Sequence, residues 1–221
     1  MSGLAAAKTL HPRLREEEAV RALAAEWRAR GGCLRVEQVL APGLAEELAR
    51  AALELPFEAH FQRDEHTSCF FWRCVIEVAV EGGAGLPPPF DRLAAFVLRD
   101  LGALLGAIAG RQVQPPTRPW LVLSRFRKGS YLDEHEDHGL GQATAYVLGL
   151  TRAAWPAEDG GHLEFLSDDR QTVLERRAPG WDTLDLYDVR PLVRWHRVPL
   201  LLRHAERLTV SGWLHAPEER A

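Results

Sequence analysis

Cysteine is scarce in this 221-residue chain: Cys33, Cys69 and Cys74 are the only three, an odd number. The four residues between the last two, Phe70-Phe71-Trp72-Arg73, do not make a zinc knuckle, so buried, reduced thiols in a reducing compartment are expected. An excess of positive charge is also lacking, because 27 Lys and Arg face 31 Asp and Glu for a net charge of −4. With no basic stripe to neutralise phosphates, a nucleic-acid partner is not expected. No apolar run approaches the roughly 18 residues that signal a membrane-spanning helix. Residues 1–10 lack the charged-then-apolar order of a secretory signal. The expectation is a cytoplasmic protein without a membrane partner. Internal repeats and low-complexity segments are missing as well.

What is present has the balance of a soluble globular protein, 46% hydrophobic and 26% charged. The length suits one β barrel with helical cover, so residues 1–221 are read as a single domain. Across 12–30, Leu14, Val20, Leu23, Ala24 and Trp27 recur at helical spacing until Gly31-Gly32 ends the run. A short alternating strand, 33–40, follows, and Pro42 opens a second helix through Leu44, Leu48, Ala51 and Leu55. Residues 56–80 are aromatic and β-prone, 82–89 form a Gly/Pro loop, and Leu93, Phe96, Val97, Leu101, Leu104 and Leu105 predict a third helix over 90–108. From Trp120 onward the texture changes to β runs at 120–127, 143–150, 162–167, 172–176, 183–187, 192–202 and 207–215. The expected class is mainly β with helical cover (α+β), with 1–119 a mainly helical buttress and 120–215 a barrel or sandwich.

Three features carry chemistry. In Tyr131-Leu-Asp-Glu-His135-Glu-Asp137-His138, a His and an Asp two apart share a face if the backbone is extended. An imidazole and a carboxylate converging there supply two of the three ligands of a 2-His-1-carboxylate centre, which leaves iron three open positions. A His-x-Asp triplet alone also describes two solvated surface residues, so its company decides. His196, opening an apolar strand 61 positions after His135, is the candidate third ligand. Arg207 lies 11 positions after His196, across the polar turn 203–206. A hairpin of that length can aim both side chains into one cavity, where a planar guanidinium would clamp the far carboxylate of a dicarboxylate, with Thr209 or Ser211 adding a hydroxyl.

Other candidates are set aside on position. Glu136 falls on the opposite face of a strand from His135 and Asp137, both it and His138 are expected to stand behind the ligands or in solvent, and His204 and His215 lack the spacing of the third ligand. His162, after a Gly-Gly turn, is expected to be exposed. Trp27, Trp120 and Trp213 fall on apolar faces and read as core, while Trp155 reads either as core or as a shaper of substrate access. The acidic cluster Asp133, Glu134, Glu136 and Asp137 reads as a solvated charged loop, or as an attractor of a basic substrate.

Phe126-Arg-Lys-Gly129-Ser-Tyr131-Leu-Asp-Glu-His135-Glu-Asp137, then Ala145-Tyr-Val-Leu-Gly-Leu150, Trp155, Gly160-Gly161-His-Leu163-Glu-Phe165, Leu184-Asp-Leu-Tyr187, His196-Arg-Val198, and Arg207 before Trp213, resemble in order the catalytic core of prolyl-4-hydroxylase-like iron(II)/2-oxoglutarate-dependent oxygenases. The resemblance covers about 120–215. It implies a double-stranded β-helix (jelly roll) preceded by N-terminal helices. It also implies His135, Asp137 and His196 as iron ligands, Arg207 as anchor of the far 2-oxoglutarate carboxylate, and Fe(II), 2-oxoglutarate and O2 as cofactors, with ascorbate stimulatory. The implied reaction is hydroxylation of an aliphatic C–H of an amino acid or peptidyl residue, releasing succinate and CO2. The partner is then a small-molecule, peptide or protein substrate, selected by residues such as 56–80 and 152–160. Two positions depart from the family: Phe126 stands where a tyrosine is common, leaving Tyr131 or Tyr146 to supply that hydroxyl, and Val-Leu-Gly-Leu lacks the usual asparagine. The competing readings are a cupin-type metal-binding isomerase, which needs no deep dicarboxylate clamp, and a non-catalytic binding protein. Oligomeric state is not legible in the sequence.

Overall fold

Alternation along the strands, apolar outward to the helices and polar or small inward, sets the layers of this protein. The computed structural model describes residues 4, 6–65, 67–77, 88–114, 120–137, 141–189 and 194–216. Helix α1 (Glu17–Ala29) carries Glu17 and Glu18 in its first turn, where they complement the helix dipole, and buries Val20, Ala24 and Trp27. Gly31 and Gly32, at φ 58° and 77°, turn the chain out of it. Helix α2 (Leu44–Ala52) buries Leu44, Ala45, Leu48 and Ala52 and stops short of Leu55. The helix expected over 90–108 comes in pieces: α3 (Phe90–Ala95), a π turn at Phe96–Asp100, and α4 (Leu101–Ala109). At the end of that wider turn the buried Asp100 carboxylate accepts from both the amide and the hydroxyl of Thr9, at 3.1 and 2.6 Å.

Eleven strands form one curled antiparallel sheet among the described residues: β1 (Cys33–Glu37), β2 (Glu58–Arg63), β3 (Ser68–Glu77), β4 (Trp120–Phe126), β5 (Tyr131–His135), β6 (Gln142–Leu150), β7 (Leu163–Leu166), β8 (Val173–Arg177), β9 (Trp181–Asp188), β10 (His196–Val198) and β11 (Arg207–His215). Their order is β1-β9-β6-β11-β4-β3-β5-β10-β7-β8, with β2 paired to β3. This is the jelly roll. Residues 1–119 supply three of its strands, so that half is less purely helical than its periodicity suggests. β5 was not among the expected strands. β10 is shorter than the expected 192–202, of which 192–193 lie outside the described residues, as do 82–87 of the Gly/Pro loop.

The large core fills the space between helices and sheet. Leu184 and Leu186 of β9, Leu148 of β6 and Leu208 and Val210 of β11 pack against Leu44, Leu93, Phe96, Leu101 and Leu105. The intervening residues of the same strands, among them Asp185, Tyr187, Val147, Arg207 and Thr209, face the barrel interior, as period-2 alternation requires. No helix among the described residues is long and apolar enough to cross a membrane.

Candidate metal and co-substrate site

The interior holds a cavity of about 630 Å³, with His135, Asp137 and His196 on one wall and Arg207 and Thr209 on another. Strand β10 brings the two histidines together, because His196 pairs directly with His135 across the β5–β10 ladder and their rings lie 4.2 Å apart. Register then slips: Val198 pairs with Leu132, so two steps along β10 match three along β5. This bulge breaks strict alternation and turns both Leu132 and His135 toward the cavity. Asp137 follows the end of β5, with its Oδ1 3.9 Å from His135 Nε2 and its Oδ2 3.5 Å from His196 Nε2. One donor atom from each residue lies within 4.8 Å of the others.

Both imidazoles are set from behind by backbone carbonyls. His135 Nδ1 lies 2.9 Å from the Asp133 carbonyl oxygen and His196 Nδ1 2.9 Å from that of Arg194. A carbonyl only accepts, so each Nδ1 carries the proton and each Nε2 lone pair points inward. Two imidazoles and a carboxylate on one side, facing open volume, suit a divalent iron with positions left for other ligands.

Arg207 opens β11 opposite Phe126 of β4 and is 5% exposed. Its guanidinium lies 4.9 Å above the Phe126 ring, itself stacked on Phe71 at 4.9 Å. Phe126 thus offers a π face where the family tyrosine offers a hydroxyl. Burial pulls Arg207 down to about 10. Its Nε has no hydrogen-bond partner among the described residues. Asp185, whose charge acts on Arg207, is already taken, bidentately by Arg35 at 2.8 and 2.7 Å and by Arg177 at 2.9 Å. A buried cation whose neighbouring carboxylate is committed elsewhere is a fitting receptor for a carboxylate ligand. Thr209, one step along the same face and buried, stands beside it.

Several sequence expectations change here. Tyr131 is not brought to the cavity: ahead of the bulge it faces away, and its hydroxyl bonds Ser68 Oγ at 2.9 Å. Tyr146 borders the cavity, but its side chain is buried in the large core, with the hydroxyl over Gly212 and no hydrogen-bond partner among the described residues. His162 is 3% exposed rather than solvated. Trp213 is 37% exposed and lines the cavity mouth instead of the core. Trp155 donates to the Gly160 carbonyl at 2.7 Å and packs near Val198 and Leu201, so it braces the chain behind β10. At Gly160 (φ 69°) a Cβ would strike the Leu200 carbonyl oxygen, which accounts for that glycine. His138 and the Trp120 side chain lie outside the described residues. Sequence reasoning gave no role to Tyr187, whose hydroxyl reaches the triad; the signal was the alternation of Thr183, Asp185 and Tyr187 with Leu184 and Leu186.

A jelly roll with a two-histidine, one-carboxylate cluster beside a buried arginine defines the class of non-haem iron oxygenases. Residues 121–215 match the 2OG-Fe(II) oxygenase superfamily, whose cofactors are Fe(II), 2-oxoglutarate and O2, and the fold is prolyl-4-hydroxylase-like. The chain is 25% identical over 135 residues to a prolyl 3-hydroxylase of Mus musculus, OGFOD1; the match covers 59% of this chain and 24% of the mouse protein, so the chain spans about a quarter of that relative's length. Among solved structures it is similar to a Pseudomonas putida prolyl-4-hydroxylase (TM-score 0.61, 19% identity, 90% of this chain and 99% of that one). It is equally similar to a Trichoplax adhaerens prolyl hydroxylase in complex with a hypoxia inducible factor peptide fragment (TM-score 0.61, 14% identity, 90% of each chain).

Proposed function

We propose that this protein is an iron(II)- and 2-oxoglutarate-dependent hydroxylase acting on an aliphatic C–H of an amino acid or peptidyl residue, with a prolyl residue in a peptide or protein the first candidate. The observation that carries the reading is one cavity shared by the His135, Asp137 and His196 donors and by a buried Arg207 whose Nε has no partner among the described residues. The three donors would hold Fe(II). Arg207 and Thr209 would hold the far carboxylate of 2-oxoglutarate. Fe(II) with 2-oxoglutarate and O2 supplies the oxidation, in which one oxygen atom goes to the substrate C–H and the other to succinate, with loss of CO2.

The protein's own part is placement. No side chain has to act as a general acid or base; the barrel walls exclude water, and the histidine tautomers are held by the Asp133 and Arg194 carbonyls. The β2–β3 ribbon beside β5 contributes His60, Gln62, Cys69, Phe71 and Arg73 to the cavity lining, and together with Trp213 it is where substrate selection would occur. The prolyl preference rests on the named relatives, one of them solved with a peptide fragment. A cupin-type isomerase leaves the buried cation without a purpose, and a turnover assay separates the enzyme from a non-catalytic binding protein. The test is succinate release from 2-oxoglutarate, which should require added Fe(II), coupled to a mass-spectrometric search among amino acids, peptides and proteins for the gain of one oxygen atom. Fe(II)-independent turnover, or turnover surviving His135→Ala, overturns the reading.

A further inference from the structure

Tyr187 sits on the inward face of β9 and is 3% exposed. Its hydroxyl lies 3.3 Å from Asp137 Oδ2 and 3.2 Å from His196 Nε2. The ring cannot swing away, because Phe165 meets it edge-on at 5.1 Å and 77° and the His196 ring lies 5.1 Å off at 64°. Cys33, Ala145, Leu163 and Val189 complete its packing. A phenol fixed this firmly beside two of the three candidate ligands bears on how those ligands are presented.

The phenol has one proton and two acceptors within reach. His196 Nδ1 carries its proton toward the Arg194 carbonyl, so Nε2 offers a lone pair that either the phenol or a metal can use. A metal on Nε2 removes that acceptor and leaves Asp137 Oδ2. We propose that Tyr187 is a positioning residue of the metal centre: its O–H is committed to Asp137 Oδ2, which leaves Oδ1, the oxygen nearer His135, as the single donor to the metal. This rests on the triad reading above. A phenol-to-carboxylate bond is charge-assisted and short of alternatives in a buried site. Without it, the carboxylate is free to chelate through both oxygens and take up one of the positions that the co-substrate and O2 need.

Co(II), a spectroscopic stand-in for Fe(II), tests this in the intact chain without turnover. Wild-type, Tyr187→Phe and His135→Ala proteins are titrated anaerobically with Co(II), and the visible absorption of each complex is recorded. Tyr187→Phe keeps the ring and hence the packing, which its metal-free melting temperature checks. It is expected to bind Co(II) about 10- to 100-fold more weakly, the usual cost of losing an outer hydrogen bond to a ligand, and with an altered band pattern. Affinity within about twofold of wild type, well below that usual cost, together with an unchanged spectrum overturns the proposal. So does a visible charge-transfer band in the Fe(III) protein that disappears in Tyr187→Phe, since the phenol oxygen would then be a ligand itself. His135→Ala separates the two levels: wild-type affinity in that variant brings down the triad reading, whereas its loss with Tyr187→Phe unaffected brings down only the role of Tyr187. A crystal structure of the Mn(II)-loaded wild type decides independently of any variant. Metal on Oδ1 with the phenol on Oδ2 supports the proposal, and metal on Oδ2 overturns it.

Discussion

The two faces of β9 and β11 are built from adjacent residues and obey opposite rules. Toward the helices stand Leu184, Leu186, Leu208 and Val210, all buried and apolar. Toward the cavity stand Asp185, Tyr187, Arg207 and Thr209, equally buried but polar or charged. Burial therefore does not separate the faces; chemistry does. The outer face removes apolar surface from water, while the inner one bears the desolvation of charges that it leaves available to ligands.

Substitutions on the two faces should fail in different ways. Asp137→Ala should abolish 2-oxoglutarate turnover with little change in the melting temperature of the metal-free protein. Leu186→Ala should cost about 2–5 kcal/mol of stability while sparing the turnover of each folded molecule. Paired melting curves and succinate assays check this, and a Leu186→Ala protein that stays folded but loses all turnover would erase the distinction.

Asp185 is where the contrast breaks by construction, because it lies on the inner face yet holds structure together. It ties Arg35 of β1 and Arg177 of β8 to β9. Asp185→Asn would leave the buried Arg177 and the partly exposed Arg35 without their shared acid and should cost about 3–5 kcal/mol, as large as an outer-face truncation. Chemical denaturation is the measurement. A cost near that of a surface substitution would mean that solvent already screens the network.

Alternation explains how much of this was legible beforehand. The helices, the strands from Trp120 onward and the spacing of His135, Asp137, His196 and Arg207 are local or ordered features, and one chain displays them directly. The β5 bulge is not such a feature. Residues 131–135 look like any short polar stretch, and the extra residue that turns Tyr131 away from the cavity exists only relative to β10. Trp213 illustrates the same limit: its apolar surroundings in sequence suggest core, but it lies toward the end of a strand where the barrel opens. Tyr187 was visible as the third polar residue in an alternating strand, yet nothing local says that its hydroxyl would meet a histidine nine positions on.

Arg207 sharpens the comparison from the ligand side. Arg207→Met removes the proposed clamp and should weaken 2-oxoglutarate by about 2–5 kcal/mol, a rise in KM of roughly 30-fold to several thousand-fold, with Co(II) affinity unchanged. The same variant should leave the ligand-free protein as stable as the wild type or more so, since a buried, unpaired cation gives way to an apolar side chain of similar length. A large loss of stability without ligand would mean that Arg207 is held by the protein itself rather than waiting for an anion.

The smallest effect belongs to Thr209, one step along the same face toward Trp213. Thr209→Val keeps the shape and the β-branched strand preference, so the outer layer has no reason to respond. What it removes is one hydroxyl donor toward the far carboxylate, worth about 0.5–1.5 kcal/mol net, or roughly a 2- to 13-fold higher 2-oxoglutarate KM at unchanged kcat. Because Arg207 and Thr209 would grip the same group, their effects should not add: in Arg207→Met the carboxylate is no longer held at that depth, and Thr209→Val should then cost little more. A double-mutant cycle on 2-oxoglutarate KM reads this directly, and full additivity would place the two residues on different ligands.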